Sequence, residues 1–151
     1  MPRTARAAAV VSLAPEGALK LWTDVRRWPT FVEGFARALE VSDDWPAEGA
    51  KVVWESIPGG RGRVTEKVAM SGPGRFVTQV FEDALSGEQA VRISEDAEGT
   101  RVELTLSYEL SKYGPLRALA DFLFIRRALR DALRRTLRRF VVEAEEESTL
   151  R

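Results

Sequence analysis

The chain contains neither cysteine nor histidine among its 151 residues. Without cysteine there is no disulfide framework, no thiolate nucleophile and no Cys-ligated zinc site. Without histidine, Ser-His-Asp and Cys-His mechanisms, imidazole metal ligands and the usual neutral-pH general base are excluded. Chemistry is left to carboxylates, Arg, Lys, Tyr, Ser/Thr and ordered water. An excess of one charge is also lacking. The 23 basic and 23 acidic side chains cancel, so the balance points to neither nucleic acid nor an anionic membrane surface. No run approaches the roughly 20 apolar residues that span a bilayer. The apolar stretch Ala7–Leu13 behind Arg3 and Arg6 is short for a secretion signal, meets Pro15-Glu16 without a small-residue cleavage site, and reads as a first β-strand. A cytoplasmic location is the expectation. No cofactor or metal is called for: Asp43/Asp44 and Asp96/Glu98 lack metal-loop spacing and read as solvated turns.

What is present suits one ordinary globular domain. Apolar residues make up 44% and charged residues 30%, and there is no repeat, low-complexity tract or linker. A single domain over 1–151 is expected, with an ordered core of about 5–146. Pro15 sits where a helix can begin, and Leu19, Leu21, Trp22 and Val25 follow at helical spacing. Trp28-Pro29 is expected to break that helix, because the residue before proline is pushed out of the α region. A second short helix then carries Phe31, Val32 and Phe35 before Gly34 and the next strand.

From Ala36 to Leu110 the period changes to two. Strands are expected at Ala36–Ser42, Lys51–Ser56, Gly62–Met70, Arg75–Glu82, Glu88–Ser94 and Arg101–Leu110. Turn material separates them, and short connections make them an antiparallel meander with one buried face. After Gly114-Pro115 a helix of about 30 residues reaches roughly Glu146, about 45 Å at 1.5 Å per residue. On a helical wheel Leu119, Phe122, Leu123, Leu129, Leu133, Leu137, Phe140 and Ala144 share one face. Arg127, Arg134, Arg135, Arg138 and Arg139 share the other.

The order is α+β: strand, two short helices, six antiparallel strands and a long C-terminal helix on a curved sheet. The segment Ala14–Phe31, an apolar strand followed by a Pro-initiated helix, Asp24, Trp28-Pro29 and aromatic Phe31, resembles the opening of the SRPBCC superfamily. That superfamily includes START lipid-transfer domains, pollen-allergen-type proteins and polyketide cyclase/dehydrases. The resemblance extends from Ala5 to about Glu146 and is nearest to the polyketide cyclase/dehydrase and lipid-transport branch. It implies a helix-grip fold: a seven-stranded antiparallel sheet wrapped around the C-terminal helix, with a cavity between them. The superfamily reuses that cavity for binding, transport and several chemistries, so the fold alone does not choose among them.

Strand parity nominates the polar residues facing such a cavity. Glu66 shares a face with Val64, Val68 and Met70, and is expected to point inward. Gln79 pairs in parity with Val77 and Phe81, although Phe76 and Val80 argue for the opposite face. Gln89 shares a face with Val91 and Ile93. Tyr108 lies inward beyond Val102, Leu104 and Leu106, and Trp54 inward on its own strand. Trp22, Trp28, Phe31 and Phe35 would close one end, as core or as ligand contacts, and Phe122 would face in from the helix. Arg126 falls mid-face on that helix, with Arg130 at its edge. A desolvated guanidinium needs a partner; Glu66 is the first choice, with Glu82 and Glu109 as alternatives. Either Arg126 receives the acidic or carbonyl end of a hydrophobic ligand, or it is a structural ion pair or snorkels to water.

Pro58–Arg63 lacks the Lys-Ser/Thr ending of a phosphate loop and precedes a strand, so it reads as a hairpin tip that can serve as an entrance loop. The Arg-rich helix face is countered by Asp121, Asp131 and Glu143–Glu147 and carries no stacking aromatics, so it reads as solvated. Three functions stay open. One is binding or transport of a small hydrophobic ligand (lipid, polyketide or quinone-like). Another is a polyketide cyclase, aromatase or dehydratase, as the resemblance permits, with Glu66, Tyr108 and Arg126 as catalytic candidates. The third is an interaction module built on the long helix. Oligomeric state is not legible.

Overall fold

The computed structural model describes residues 3–83, 85–110 and 118–150, the side chains of 118–123 apart. The proposed helix start at Gly114-Pro115 and the side chains of Leu119, Phe122 and Leu123 therefore lie outside what is described. Seven strands form one antiparallel sheet: β1 (Arg3–Val11), β2 (Phe35–Val41), β3 (Lys51–Ser56), β4 (Arg63–Gly72), β5 (Arg75–Phe81), β6 (Leu85–Asp96) and β7 (Gly99–Leu110). Their spatial order is β1-β7-β6-β5-β4-β3-β2, so the meander runs outward from β7 and β1 closes beside it. The helices are α1 (Pro15–Thr23), α2 (Trp28–Phe31) and the long α3 (Ala118–Thr149). The expected helix-grip order is present.

Alternation sets the inner face. Val52, Trp54 and Ser56 of β3, and Val102, Leu104, Leu106 and Tyr108 of β7, are all buried. On α3 the spacing Leu133, Leu137, Phe140, Ala144 turns one stripe inward, at the three- and four-residue steps that keep a helix face together. The five outer arginines are all exposed. Phe140 packs edge-on against Trp22 and Phe31 at centroid distances of 5.4 and 5.1 Å. Two ionic clasps reinforce this seat. Arg27 donates to Glu143 at 2.8 Å and to Glu147 at 3.0 Å. Glu33 pairs with Arg135 at 3.0 Å and Arg139 at 2.6 Å.

Two local expectations are corrected. The first helix breaks at Asp24, whose ψ is 95°, and Trp28 stays helical with ψ −35°. The Asp24 carboxylate accepts from the Arg26 backbone N–H and so starts a 3-10 turn over Val25–Arg27. Pro29 then falls in the first turn of α2, where its missing N–H costs nothing. Met70 points outward and is 42% exposed, because β4 carries a bulge between Val68 and Met70. One extra residue there reverses the face of everything beyond it. No helix among the described residues is long and apolar enough to cross a membrane.

Candidate functional site

Towards the N-terminal half of α3 the helix and the sheet do not close on each other. A cavity of about 300 Å3 lies between them. Its sheet wall carries Trp54, Glu66, Gln89, Leu104 and Leu106; its helix wall carries Ala128, Leu129, Ala132, Leu133 and Thr136. Trp22, Trp28, the loop Val32-Glu33-Gly34 and the β3–β4 hairpin residues Ser56, Ile57, Gly60 and Arg61 complete its lining. Gly34 has φ +74°, which allows the chain to turn from α2 into β2 at the rim. The Gly34 carbonyl accepts from the Ile57 N–H at 2.8 Å, and Thr136 Oγ1 accepts from the Glu33 N–H at 2.9 Å. Loop, hairpin and helix are thus joined around the cavity. A larger groove of about 710 Å3 runs outside, between β2 and the Thr23–Arg26 turn, but it is an open surface feature.

Glu66 is the one carboxylate in the sheet wall and is 7% exposed. Trp54 Nε1 donates to its Oε2 at 2.8 Å, and Thr78 Oγ1 donates to its Oε1 at 3.1 Å. Burial pushes the Glu66 carboxyl up from the usual carboxylate range; the Trp54 hydrogen bond, the Arg61 charge and the Thr78 hydrogen bond oppose this without overcoming it. Burial thus works towards the neutral acid, while the two donors and the Arg61 charge work towards the carboxylate.

Its cationic neighbour is not the predicted one. Arg126 is exposed. The helical wheel puts it on the face of Leu133 and Leu137, but among the described residues no α3 side chain before Leu133 is buried. The guanidinium reaches water there, although Ile125 and Leu129 pack partly against the core and Arg130 Nε is buried with no hydrogen-bond partner among the described residues. The Arg126 charge still reaches Tyr108, whose hydroxyl it helps to ionise. The cation beside Glu66 is Arg61, from the hairpin tip. Arg61 Nε donates to Glu82 Oε2 at 2.6 Å, and its guanidinium carbon lies 5.3 Å from the Trp54 ring centroid. Glu82, considered as a partner for Arg126, serves Arg61 instead; Glu109 is exposed. Arg61 escaped sequence reasoning because a glycine-rich tip has no periodicity to assign a direction. The signal available was an inward tryptophan next to a hairpin arginine, with a carboxylate at the end of β5.

Of the nominated ligand contacts, Trp28, Trp54, Glu66 and Gln89 stand in the cavity wall. Trp28 is fixed by donating Nε1–H to the Trp22 carbonyl at 2.8 Å. Phe31 is fully buried against Trp22 and Phe140 and belongs to the core. Gln79 and Phe81 face outward, Phe81 at 49% exposure, since Phe76, Thr78 and Val80 take the inner face of β5. Tyr108 points inward as expected and is 1% exposed, but it lies outside the cavity wall. Its hydroxyl has no hydrogen-bond partner among the described residues, and burial raises its pKa. Phe122 falls among the undescribed side chains. No cluster of metal-binding side chains occurs among the described residues.

A family model described as "Polyketide cyclase / dehydrase and lipid transport" matches residues 2–145. No curated protein matches the chain. Among solved structures, the protein TTHA0849 of Thermus thermophilus superimposes with TM-score 0.76 at 20% identity, over 94% of this chain and 97% of that one. The di-domain ARO/CYC StfQ of the steffimycin biosynthetic pathway gives TM-score 0.76 at 14% identity, over 99% of this chain and 52% of that one. Norcoclaurine synthase from Thalictrum flavum, solved with dopamine and hydroxybenzaldehyde, gives 0.68 at 12% identity, over 96% and 89%. At these identities the likeness is one of fold.

Proposed function

Because the chain belongs to the polyketide cyclase/dehydrase and lipid transport family, we propose that it binds a small hydrophobic molecule between sheet and helix and acts as its carrier or sensor. The observation that carries this reading is the cavity of about 300 Å3, walled by Trp22, Trp28, Leu104, Leu106, Leu129 and Leu133 with few polar groups. Concave, mostly apolar space with a few placed polar atoms is the general form of a small-molecule site. The joined rim of loop, hairpin and helix supports sequestration of a ligand. Native mass spectrometry of the purified protein, followed by solvent extraction, tests the reading. A stoichiometric small apolar molecule is the expected finding. A bare protein that also fails to take up naphthalene refutes it.

One observation favours a second reading, an enzyme acting on a carbonyl substrate. Glu66 reaches the cavity wall with a carboxyl that burial keeps protonated above the usual range, which suits a general acid. Under this reading Glu66→Gln keeps ligand affinity and abolishes turnover.

A further inference from the structure

The solvent face of α3 changes sign along its length. Within about 120° of arc, at about 100° per residue, it carries Arg134, Arg138, Val142, Glu145, Glu146 and Thr149, all of them exposed. The basic residues precede Val142 and the acidic ones follow it. Charges on the flanks of this stripe are taken up inside the molecule: Arg135 and Arg139 by Glu33, Glu143 and Glu147 by Arg27. Those on the stripe are not. Arg134, Arg138, Glu145 and Glu146 form no ion pair among the described residues. Arg138, Glu145 and Glu146 also lack an opposite charge three or four residues away, the spacing at which helix side chains meet. Two apolar side chains lie open beside them: Val142 is 53% exposed and Leu150, just past the helix end, 82%.

A matching partner presents the reverse order of charge along the same line. A second copy of α3 running antiparallel does so by symmetry. With the two-fold axis at Val142, Arg138 and Glu146 lie about 6 Å to either side of it, at 1.5 Å per residue. They then face each other twice, once from each copy. Val142 meets its own copy, and Leu150 lies against the aliphatic stem of Arg134. A parallel pair sets like charge against like. Sliding the antiparallel pair until Val142 covers Phe124, itself 74% exposed, lays the arginine-rich turns Arg127–Arg139 on themselves. The signs therefore select one orientation and one register. A uniformly negative surface, nucleic acid or anionic membrane, meets Arg134 and Arg138 but is repelled by Glu145 and Glu146.

We propose that this face of α3 is a self-association surface: two copies pair antiparallel along it about a two-fold axis at Val142, held by reciprocal Arg138–Glu146 ion pairs. The overlap, from Arg134 to Leu150, is about 25 Å long. Such an interface is at the small end of the range, and exposed ion pairs are weak. The dimer is therefore reversible, with a dissociation constant on the order of 100 µM. Each partner ends beside Arg134, so Ala128, Leu129 and Ala132 in the cavity wall stay clear. Association does not depend on what the cavity holds.

Sedimentation equilibrium in low-salt buffer, from about 10 µM to about 1 mM protein, reads the association. The wild type is expected to shift from monomer towards dimer across that range. In Arg138→Glu alone, and in Glu146→Arg alone, both reciprocal contacts set like charges together. Each variant is expected to dissociate about tenfold more readily than the wild type. An equimolar mixture of the two variants places opposite charges at both contacts and should restore association to within about twofold of the wild type. The double variant, with the charges exchanged within one chain, should do the same. Both positions are exposed, and recovery in the mixture shows in addition that each variant is folded. A wild type that stays monomeric to about 1 mM overturns the self-association. Single variants that associate like the wild type overturn the part given to Arg138 and Glu146. Weakened single variants that recover neither in the mixture nor in the double variant overturn the register.

Discussion

Ala132→Trp puts an indole into the cavity from the helix wall. Ala132 lines the space and is only partly covered by the rest of the protein, so the backbone of α3 need not move to admit the ring. If the indole takes up about a third of the 300 Å3, the cavity term of about 24 cal/mol per Å3 gives a gain of about 2.4 kcal/mol. Strain from imperfect fit takes back about 1–3 kcal/mol. The net change in stability is therefore small, between about +1.5 and −0.5 kcal/mol. Binding changes much more. Losing roughly 120 Å2 of contact for a two-ring ligand, at 25 cal/mol per Å2, costs about 3 kcal/mol, or roughly a hundredfold in affinity. Urea unfolding and equilibrium dialysis with 2-naphthol read the two quantities separately. Lost binding with stability held is the expected pair. Wild-type affinity in the variant would mean that the ligand sits elsewhere. A loss of more than about 2 kcal/mol of stability would mean that the space is not there to be filled.

Other consequences follow from the same geometry. Burial raises the Glu66 carboxyl, so the unfolded chain releases this proton near the ordinary value of 4.5 while the folded chain holds it to higher pH. Over that interval the unfolded state binds fewer protons and stability falls as pH rises; Glu66→Gln should remove this slope in urea midpoints measured from pH 4 to 8. Phe140→Ala deletes a fully buried ring wedged against Trp22 and Phe31, and should cost about 3–5 kcal/mol by thermal or urea unfolding. Arg27→Ala opens the clasp to Glu143 and Glu147. Because Arg27 is about a third exposed, the loss should be about 1 kcal/mol or less and should shrink in high salt.

The sheet was legible in the sequence where one face is apolar without a break. On β7 every second residue from Val102 to Tyr108 is buried, and no other register would bury them. Glu66 and Gln89 could be assigned for the same reason, each flanked in parity by buried valines or isoleucine. The reasoning failed on β5, where both parities are apolar: Phe76 and Val80 compete with Val77 and Phe81, and the bulge at Val68/Met70 resets the pairing. Tertiary packing decided there, and Gln79 and Phe81 turned outward. Arg126 failed for a different reason. A helical wheel assumes that the covering layer runs the full length of the helix, whereas burial along the described part of α3 begins at Leu133. The less covered turns before it contribute Ala128, Leu129 and Ala132 to the cavity wall.

The tryptophans offer the most direct test of where a ligand goes. Trp22, Trp28 and Trp54 line the cavity, and Trp45 lines the outer groove, with its Nε1 donating to the Thr23 carbonyl at 2.8 Å. A 15N–1H correlation spectrum resolves the four indole N–H groups, and titration with 2-naphthol reports on both sites in one experiment. Ligand binding in the cavity predicts the largest shift at Trp54, whose N–H is bonded to Glu66, smaller shifts at Trp22 and Trp28, and the smallest at Trp45. A titration that moves Trp45 most, or moves none of the four, contradicts it.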